Sequence, residues 1–280
     1  MPYTLAQAID EGAGALRRAG IESAAREAAA LAAWSVSASP AAVLAHPERR
    51  LSVAEEARWR EAVRRRAARE PFAYVTGRVE FYSLELEIDR RVIVPRPETE
   101  HVVEQALAIA REVERPLIAD IGTGSGCIAV ALAHSLESAL VYAADASSEA
   151  LEVAAANVRR HHLEGRVRLL HGDLLEPLPE PVHVIASNPP YVASAEFPHL
   201  MPEVRDYEPR PALDGGEDGL AVIRRLIAEA PSHLLAGGAL VMEIGADQGP
   251  RAIELSGKRF SAVRIERDLA GLERVLVART

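Results

Sequence analysis

Up to about residue 70 the chain has no alternation of period two. Apolar residues recur instead at helical spacing, with Leu5, Ala8, Ile9, Ala13 and Leu16 on one face. The pattern predicts an all-α segment. Its punctuation falls at Gly20, at Ser39-Pro40, at His46-Pro47 and at Ser52, where Glu55 three residues on gives a capping-box spacing. Four or five short helices fit between these points. Between about 75 and 95 the period changes to two: Phe81, Leu84, Leu86 and Ile88 stand among polar residues, and Val92-Ile-Val94 precedes a Pro-Arg-Pro. This predicts a β-hairpin linking two domains.

From residue 97 helix and strand alternate. The pattern predicts helices over 98–113, 126–136, 147–160, 217–235 and 248–256, and strands over 116–121, 139–145, 166–171, 182–187 and 238–244, closed by paired strands 259–266 and 273–279. Such alternation specifies an open, mostly parallel sheet covered by helices on both faces, an α/β fold. The expected organisation is a helical domain over 1–75, a hairpin linker over 76–96 and an α/β domain over 97–280.

Composition narrows the function. The 280 residues carry 32 basic and 41 acidic side chains, a formal charge of −9, which argues against a chain that grips a nucleic-acid backbone over a wide surface. The balance is uneven: up to position 75 there are 11 basic and 9 acidic residues, and beyond it 21 against 32. Arg58, Arg60, Arg64, Arg65, Arg66 and Arg69 account for this. They form either a partner-facing surface or a solvated face paired to Glu55, Glu56, Glu61 and Glu70. Cys127 is the single cysteine, which excludes a disulfide framework and thiolate-cluster metal sites, and the scattered histidines show no ligand spacing, so no metal is expected. The start of the chain lacks a basic, then apolar leader, and no run approaches the roughly 18 apolar residues of a membrane span, so a cytoplasmic protein is expected.

The first strand of the second domain, Pro116-Leu-Ile-Ala-Asp120-Ile121, runs into Gly122-Thr123-Gly124-Ser125-Gly126 and then a helix. Glycines there let the backbone turn sharply and approach a ligand, while free amides at the helix start face it. The next strand ends in Asp145, where a carboxylate can accept both ribose hydroxyls of an adenosine. A dinucleotide fingerprint needs a sixth-position glycine, and that position is Cys127. S-adenosyl-L-methionine (SAM) has no pyrophosphate but carries an ammonium, a carboxylate and a sulfonium, so an acid such as Asp120 beside the loop suits it. Asp173, following the strand that ends at His171, is placed either to meet the adenine edge or to serve as a turn residue after Gly172.

After the strand Val182 to Ser187 comes Asn188-Pro189-Pro190-Tyr191. An amide or exocyclic amine nitrogen is a poor nucleophile because its lone pair is delocalised, so its NH2 must be held and aimed. The Asn188 side-chain oxygen and the Pro189 carbonyl can each accept one N–H, consecutive prolines lock φ, and Tyr191 offers a wall for a flat group. Alignment of this kind is worth about 7 to 11 kcal/mol, so no general base with a shifted pKa is required. The bland alternative is a Pro-Pro turn after an edge strand.

Together with Val94-Pro-Arg96-Pro97-Glu-Thr99-Glu100, Glu208-Pro-Arg-Pro-Ala-Leu-Asp-Gly-Gly-Glu-Asp-Gly-Leu220, Glu243-Ile-Gly and Asp268-Leu-Ala-Gly271, these motifs resemble the release-factor glutamine methyltransferases of the HemK/PrmC type over nearly the whole chain. The resemblance implies a SAM-dependent methyltransferase domain behind a helical substrate-recognition domain. It implies methylation of the glutamine amide in the Gly-Gly-Gln motif of class I peptide-chain release factors, with S-adenosyl-L-homocysteine as the other product. By that resemblance Asn188 to Tyr191 hold the glutamine, Gly122 to Gly126 and Asp145 hold SAM, and Arg96, Pro97 and Thr99 border the pocket. Leu174, in the adenine-packing position, stands where some relatives carry an aromatic residue, and Ala-Ser-Ser follows Asp145 in place of the more usual Ile-Ser-Pro. Three readings compete: an amino-methyltransferase of adenine in DNA or RNA, a relative acting on a ribosomal-protein glutamine, and a SAM-binding or partner-binding module without turnover. The acidic composition weighs against the first, and intact Asn188 and Tyr191 against the last. The acidic run Asp214 to Asp218 lacks the alternating ligand spacing of a calcium loop and is expected to be a glycine-rich turn.

Overall fold

Side-chain caps set where the first helices begin. In the computed structural model, which describes residues 3–280, these are α1 (Leu5–Arg18), α2 (Ala24–Ser35), α3 (Pro40–Ala45), α4 (Val53–Ala67) and α5 (Phe72–Thr76). Ser52 and Glu55 form the predicted capping box at α4, and Thr4 with Gln7 forms a second at α1. Leu5, Ala8, Ala13 and Leu16 are buried, and Ile9 packs at the margin of the same core. Leu31, Trp59 and Val63 fill its centre. Gly12 permits the close packing, since a Cβ there would lie 3.3 Å from the Ala28 methyl and 3.4 Å from the Trp59 ring.

The hairpin follows as β1 (Arg78–Phe81) and β2 (Leu84–Glu87). Tyr82 and Ser83 at its tip both have positive φ, 51° and 59°, the backbone a two-residue hairpin turn requires but without the glycine that usually supplies it. The Glu100 carboxylate accepts the Tyr82 N–H at 2.8 Å and helps hold this turn.

The α/β part comprises α6 (Glu100–Ala110), β3 (Leu117–Ile121), α7 (Cys127–Ser135), β4 (Leu140–Asp145), α8 (Ser148–Arg160), β5 (Val167–His171) and β6 (Val182–Ser187). After a short helical turn, α9 (Pro202–Arg205), come α10 (Ala221–His233), β7 (Leu234–Glu243), α11 (Gly249–Ser256), β8 (Ala262–Arg267) and β9 (Glu273–Arg279). The seven strands lie in the order β5-β4-β3-β6-β7-β9-β8, and only β9 runs against its neighbours. Successive strand residues enter opposite cores: Ile118, Val141 and Val184 pack with α6 and α7, whereas Ala119, Tyr142 and Ile185 pack with α10. Both faces are therefore covered, as the mainly apolar strands imply. The helix expected from 217 starts at Ala221, because Gly216 and Gly219 turn the chain at φ 87° and 72° before it.

One excursion is not visible in the periodicity. The chain divides into two compact units, and Met201–Tyr207, which contains α9, groups with the helical unit that runs up to Arg78. There the buried Arg66 guanidinium donates to Glu27 at 2.6 Å and to Glu203 at 3.0 Å, while Arg69 donates to the other Glu203 oxygen at 2.6 Å. Much of the arginine cluster is thus committed internally: Arg60 pairs with Glu56, Arg64 with Glu61 and Arg65 with Glu70. Exposed pairs contribute about 0 to 1 kcal/mol each, whereas removing one member of a buried network costs about 3 to 5 kcal/mol. Trp34 and Trp59, the two tryptophans, both belong to the helical unit, so their fluorescence follows its unfolding. In urea titrations Arg66→Met should destabilise this unit by about 3 kcal/mol, while Arg58→Met, at an exposed position, should change it by less than about 0.5 kcal/mol. Equal effects would contradict the buried network.

Candidate active site

Parallel pairing brings the strand ends that carry the motifs to one edge of the sheet. Ile121 lies opposite Ala144 on one side and Ser187 on the other, and Asp145 lies opposite His171. Gly122, Asp145, Gly172 and Asn188 therefore leave the sheet along the same rim. The connections diverge between β3 and β6, the switch point at which open α/β sheets bind ligands.

The glycine loop is held from below. Gly122, Gly124 and Gly126 all have positive φ, and a Cβ on Gly126 would come within 3.2 Å of the Ala154 methyl on α8. Asp145 accepts the Gly124 N–H and the Ser147 N–H, both at 2.8 Å, which links the loop to the end of β4. Beneath the loop, Asn157 donates to the Ser125 carbonyl at 2.8 Å and exchanges hydrogen bonds with the Glu87 backbone. Thr123 and Ser125 are buried with it. Burial pushes the Cys127 thiol up to about 12, as befits a packed thiol at the helix start.

Asp120 is fully buried. One of its oxygens accepts from the Thr123 hydroxyl at 2.6 Å and from the Ala129 N–H at 3.0 Å, while Oδ1 is buried with no partner among the described residues. Burial raises its carboxyl to about 7 against the pull of those two donors. The rim continues to Asp173, whose carboxylate takes Arg225 at 2.7 and 3.2 Å. Leu174 beside it has φ 49° and packs against the core on the α10 face.

At the end of β6 the Ser187 hydroxyl donates to the Ile121 carbonyl at 2.7 Å, and the next residue opens the tetrapeptide. Asn188 Nδ2 donates to Thr99 Oγ1 at 3.0 Å, Thr99 donates to Glu243 Oε2 at 2.7 Å, and the Tyr191 hydroxyl donates to Glu243 Oε1 at 3.2 Å. Thr99 and Glu243 are each 1% exposed. Burial raises the Glu243 carboxyl, opposed by the Thr99 and Tyr191 hydrogen bonds and by Arg274; burial and Glu243 together raise the Tyr191 hydroxyl, which stays protonated. Pro189 is buried, and Asn188, Pro190 and Tyr191 are partly so.

Two motifs of no evident chemistry support this tetrapeptide. Arg96 grips both oxygens of the buried Glu208 at 2.6 and 2.8 Å, tying Val94-Pro-Arg-Pro97 to Glu208-Pro-Arg-Pro211. Pro97 opens the helical turn that carries Thr99. Val192 N–H donates to the Leu213 carbonyl and Gly215 N–H to the Val192 carbonyl, at 3.0 and 2.8 Å, so the 208–220 segment lies alongside the residues after Tyr191. Gly219 is required there, since a Cβ would stand 2.4 Å from the Tyr191 carbonyl oxygen, which also accepts from Gln248 Nε2 at 3.0 Å. Asp214 accepts from Ser194 and the Gly216 N–H, and Asp218 from the Leu220 N–H, which stabilises the glycine turn. The sequence alone gives no role to Glu243, Glu208, Asn157 or Gln248. The first two stand in motifs noted there; Asn157 and Gln248 carry no local signal.

Residues 7–77 match the PrmC N-terminal domain model and residues 105–202 the methyltransferase small domain model. The chain is 43% identical over 279 residues to a release factor glutamine methyltransferase of Moorella thermoacetica, covering 98% of both chains. It is 44% identical over 241 residues to one from Gloeobacter violaceus, covering 85% of this chain and 82% of that one. A methyltransferase structure from Pyrococcus furiosus superposes with a TM-score of 0.52 at 20% identity, over 80% of this chain and 96% of that one, a likeness of fold. The sheet order, the two matched domains and relatives of this identity over nearly the full length agree: the chain belongs to the release factor glutamine methyltransferase family.

Proposed function

We propose that this chain transfers a methyl group from SAM to the side-chain amide nitrogen of the glutamine in the Gly-Gly-Gln motif of class I peptide-chain release factors. The observation that carries the reading is the orientation of Asn188. Its Nδ2 is committed to Thr99, which leaves Oδ1 as the acceptor for an incoming N–H beside the glycine loop. With the Pro189 carbonyl as a second acceptor, the two N–H groups of one planar amide are held and its lone-pair face is set by the protein. Pro190 stiffens the loop and Tyr191 bounds the flat group. Aligning a poor nucleophile in this way supplies the barrier reduction that a general base would not.

The cofactor residues fit SAM on the chemistry of their donors. Asp120 presents a buried carboxyl oxygen with no partner among the described residues, suited to an ammonium, and the Gly122-Thr123-Gly124-Ser125-Gly126 loop lets backbone amides approach the amino-acid end. Asp145 would accept the ribose hydroxyls, with Asp173 and Leu174 along the adenine. When bound, SAM supplies a methyl carbon whose bond to the sulfonium breaks as the new nitrogen–carbon bond forms. The helical unit is the candidate partner-recognition surface, and Arg96, Pro97 and Thr99 support the substrate side of the rim.

The direct test is methyl transfer from labelled SAM to a purified class I release factor, to the same factor with its motif glutamine changed to alanine, and to duplex DNA. Label on the intact factor alone is expected; label on DNA or on the alanine variant would overturn the reading. In that assay Asn188→Ala should lower kcat by about 100- to 1,000-fold, the loss typical of one acceptor or donor acting at the transition state, and unchanged turnover would remove Asn188 from the chemistry.

Asp120 makes a test that does not depend on turnover. Its folded carboxyl is raised from 3.8 to about 7, so the native protein holds this proton more tightly than the unfolded chain does. The stability linked to this group is full below about pH 4 and is lost as the pH rises to about 7. Across that window the melting temperature of the SAM-free protein should decline relative to Asp120→Asn. Parallel melting profiles would show that the buried acid does not titrate there.

A further inference from the structure

We propose that Thr99 and Glu243 are positioning residues that decide which end of the Asn188 carboxamide faces the substrate. The inference rests on the reading of Asn188 as an acceptor for the substrate amide and supplies what that reading needs. A carboxamide has an acceptor end and a donor end of nearly the same shape, and free rotation about its terminal bond would present the wrong end as readily as the right one. An inverted Asn188 would aim two N–H donors at the two N–H groups of the glutamine.

The buried chain of hydrogen bonds removes that degeneracy. Both Glu243 oxygens act as acceptors and take one proton each, from Thr99 at 2.7 Å and from Tyr191 at 3.2 Å. Thr99 has a single hydroxyl proton. Once it is given to Glu243, only lone pairs remain for Asn188, so the group approaching at 3.0 Å has to be the donor end, Nδ2. The inverted carboxamide would place Oδ1 against Thr99 and demand the same proton twice, which would strip a buried carboxylate oxygen of its donor. With Thr99 and Glu243 each 1% exposed, no bulk water stands ready to replace that bond. The polarity of the site therefore runs from the accepting oxygen of Glu243 through one hydroxyl to Asn188. Position in the fold agrees: Glu243 ends β7 beside β6, whose end carries Asn188, and Thr99 lies in the turn that Arg96 and Glu208 hold. Neither residue need touch substrate or cofactor.

The test compares Thr99→Val, Thr99→Ser and Glu243→Gln with the wild type in release-factor methylation, with SAM affinity measured by calorimetry on each. Valine keeps the shape and removes the hydroxyl. Glutamine at 243 keeps the shape but offers one acceptor and one donor end to two hydroxyls. Both should lower kcat by about 10- to 100-fold, the loss that accompanies misplacement of a reacting group, with the dissociation constant for SAM within about twofold of wild type. Thr99→Ser, which restores the hydroxyl, should recover most of kcat. Full kcat in Thr99→Val would overturn the proposal, as would loss of kcat in Thr99→Ser equal to that in the valine variant. A fall in SAM affinity parallel to the fall in kcat would also overturn it, because a merely structural role predicts that outcome. If Thr99→Val does not fold, Glu243→Gln and Thr99→Ser decide on the same criteria. A wild-type protein inactive on the release factor would sink the reading of substrate, whereas an active wild type with an indifferent Thr99 would sink only the relay.

Discussion

An amide nitrogen that must attack a carbon has to be held by its own protons, and the protein can do that only with acceptors whose direction is fixed before the substrate arrives. The hydrogen bond from Asn188 Nδ2 to Thr99 Oγ1 is the constraint that fixes one of them. The other acceptor, the Pro189 carbonyl, belongs to a backbone that two prolines leave little freedom to turn. Much of the α/β unit can be understood as support for those two oxygens at the end of one strand.

Parallel strands supply the support in two ways. Register carries the ends of β3, β4 and β6 to one rim, so the glycine loop, Asp145 and Asn188 are neighbours although far apart in the chain. Burial of the strands on both faces makes the rim stiff, since Ile118, Val141 and Val184 on one side and Ala119, Tyr142 and Ile185 on the other are locked in packed cores. The rim is then completed by polar groups that the sheet leaves exposed to one another: Glu243 at the end of β7, Asn157 under the loop, and the 208–220 segment whose glycine turn lies against Tyr191. Glu243 and Asn157 are buried, which raises their cost if unpaired and their value in fixing geometry when paired.

The elements carrying the site were legible because periodicity and punctuation are local. Short, mainly apolar runs mark β3, β4 and β6, a change of period marks the hairpin, and the glycine loop and Asn-Pro-Pro-Tyr stand at the strand ends where ligands are met. What stayed hidden were the partners of polar groups. Thr99 and Glu243 are 144 positions apart, and nothing near either one announces the other. From the sequence Arg66 reads equally well as a solvated charge or as part of a partner surface, whereas in the fold Glu27 and Glu203 surround it. The turn at Tyr82 and Ser83 lacks the glycine that would have signalled it, and the start of α10 was displaced by a glycine turn whose purpose is to lie against Tyr191. Long-range pairing of buried polar side chains is a property of the folded arrangement, and a single sequence carries it only as residue types in unexplained motifs.

Transfer to an amide nitrogen turns on where the substrate amide is held. A crystal structure of the chain with S-adenosyl-L-homocysteine and a Gly-Gly-Gln peptide would measure it directly. The glutamine amide nitrogen is expected within about 3 Å of both Asn188 Oδ1 and the Pro189 carbonyl oxygen, with Asn188 Nδ2 still on Thr99. A peptide amide bound elsewhere on the rim, or an Asn188 turned to present its nitrogen to the glutamine, would contradict it.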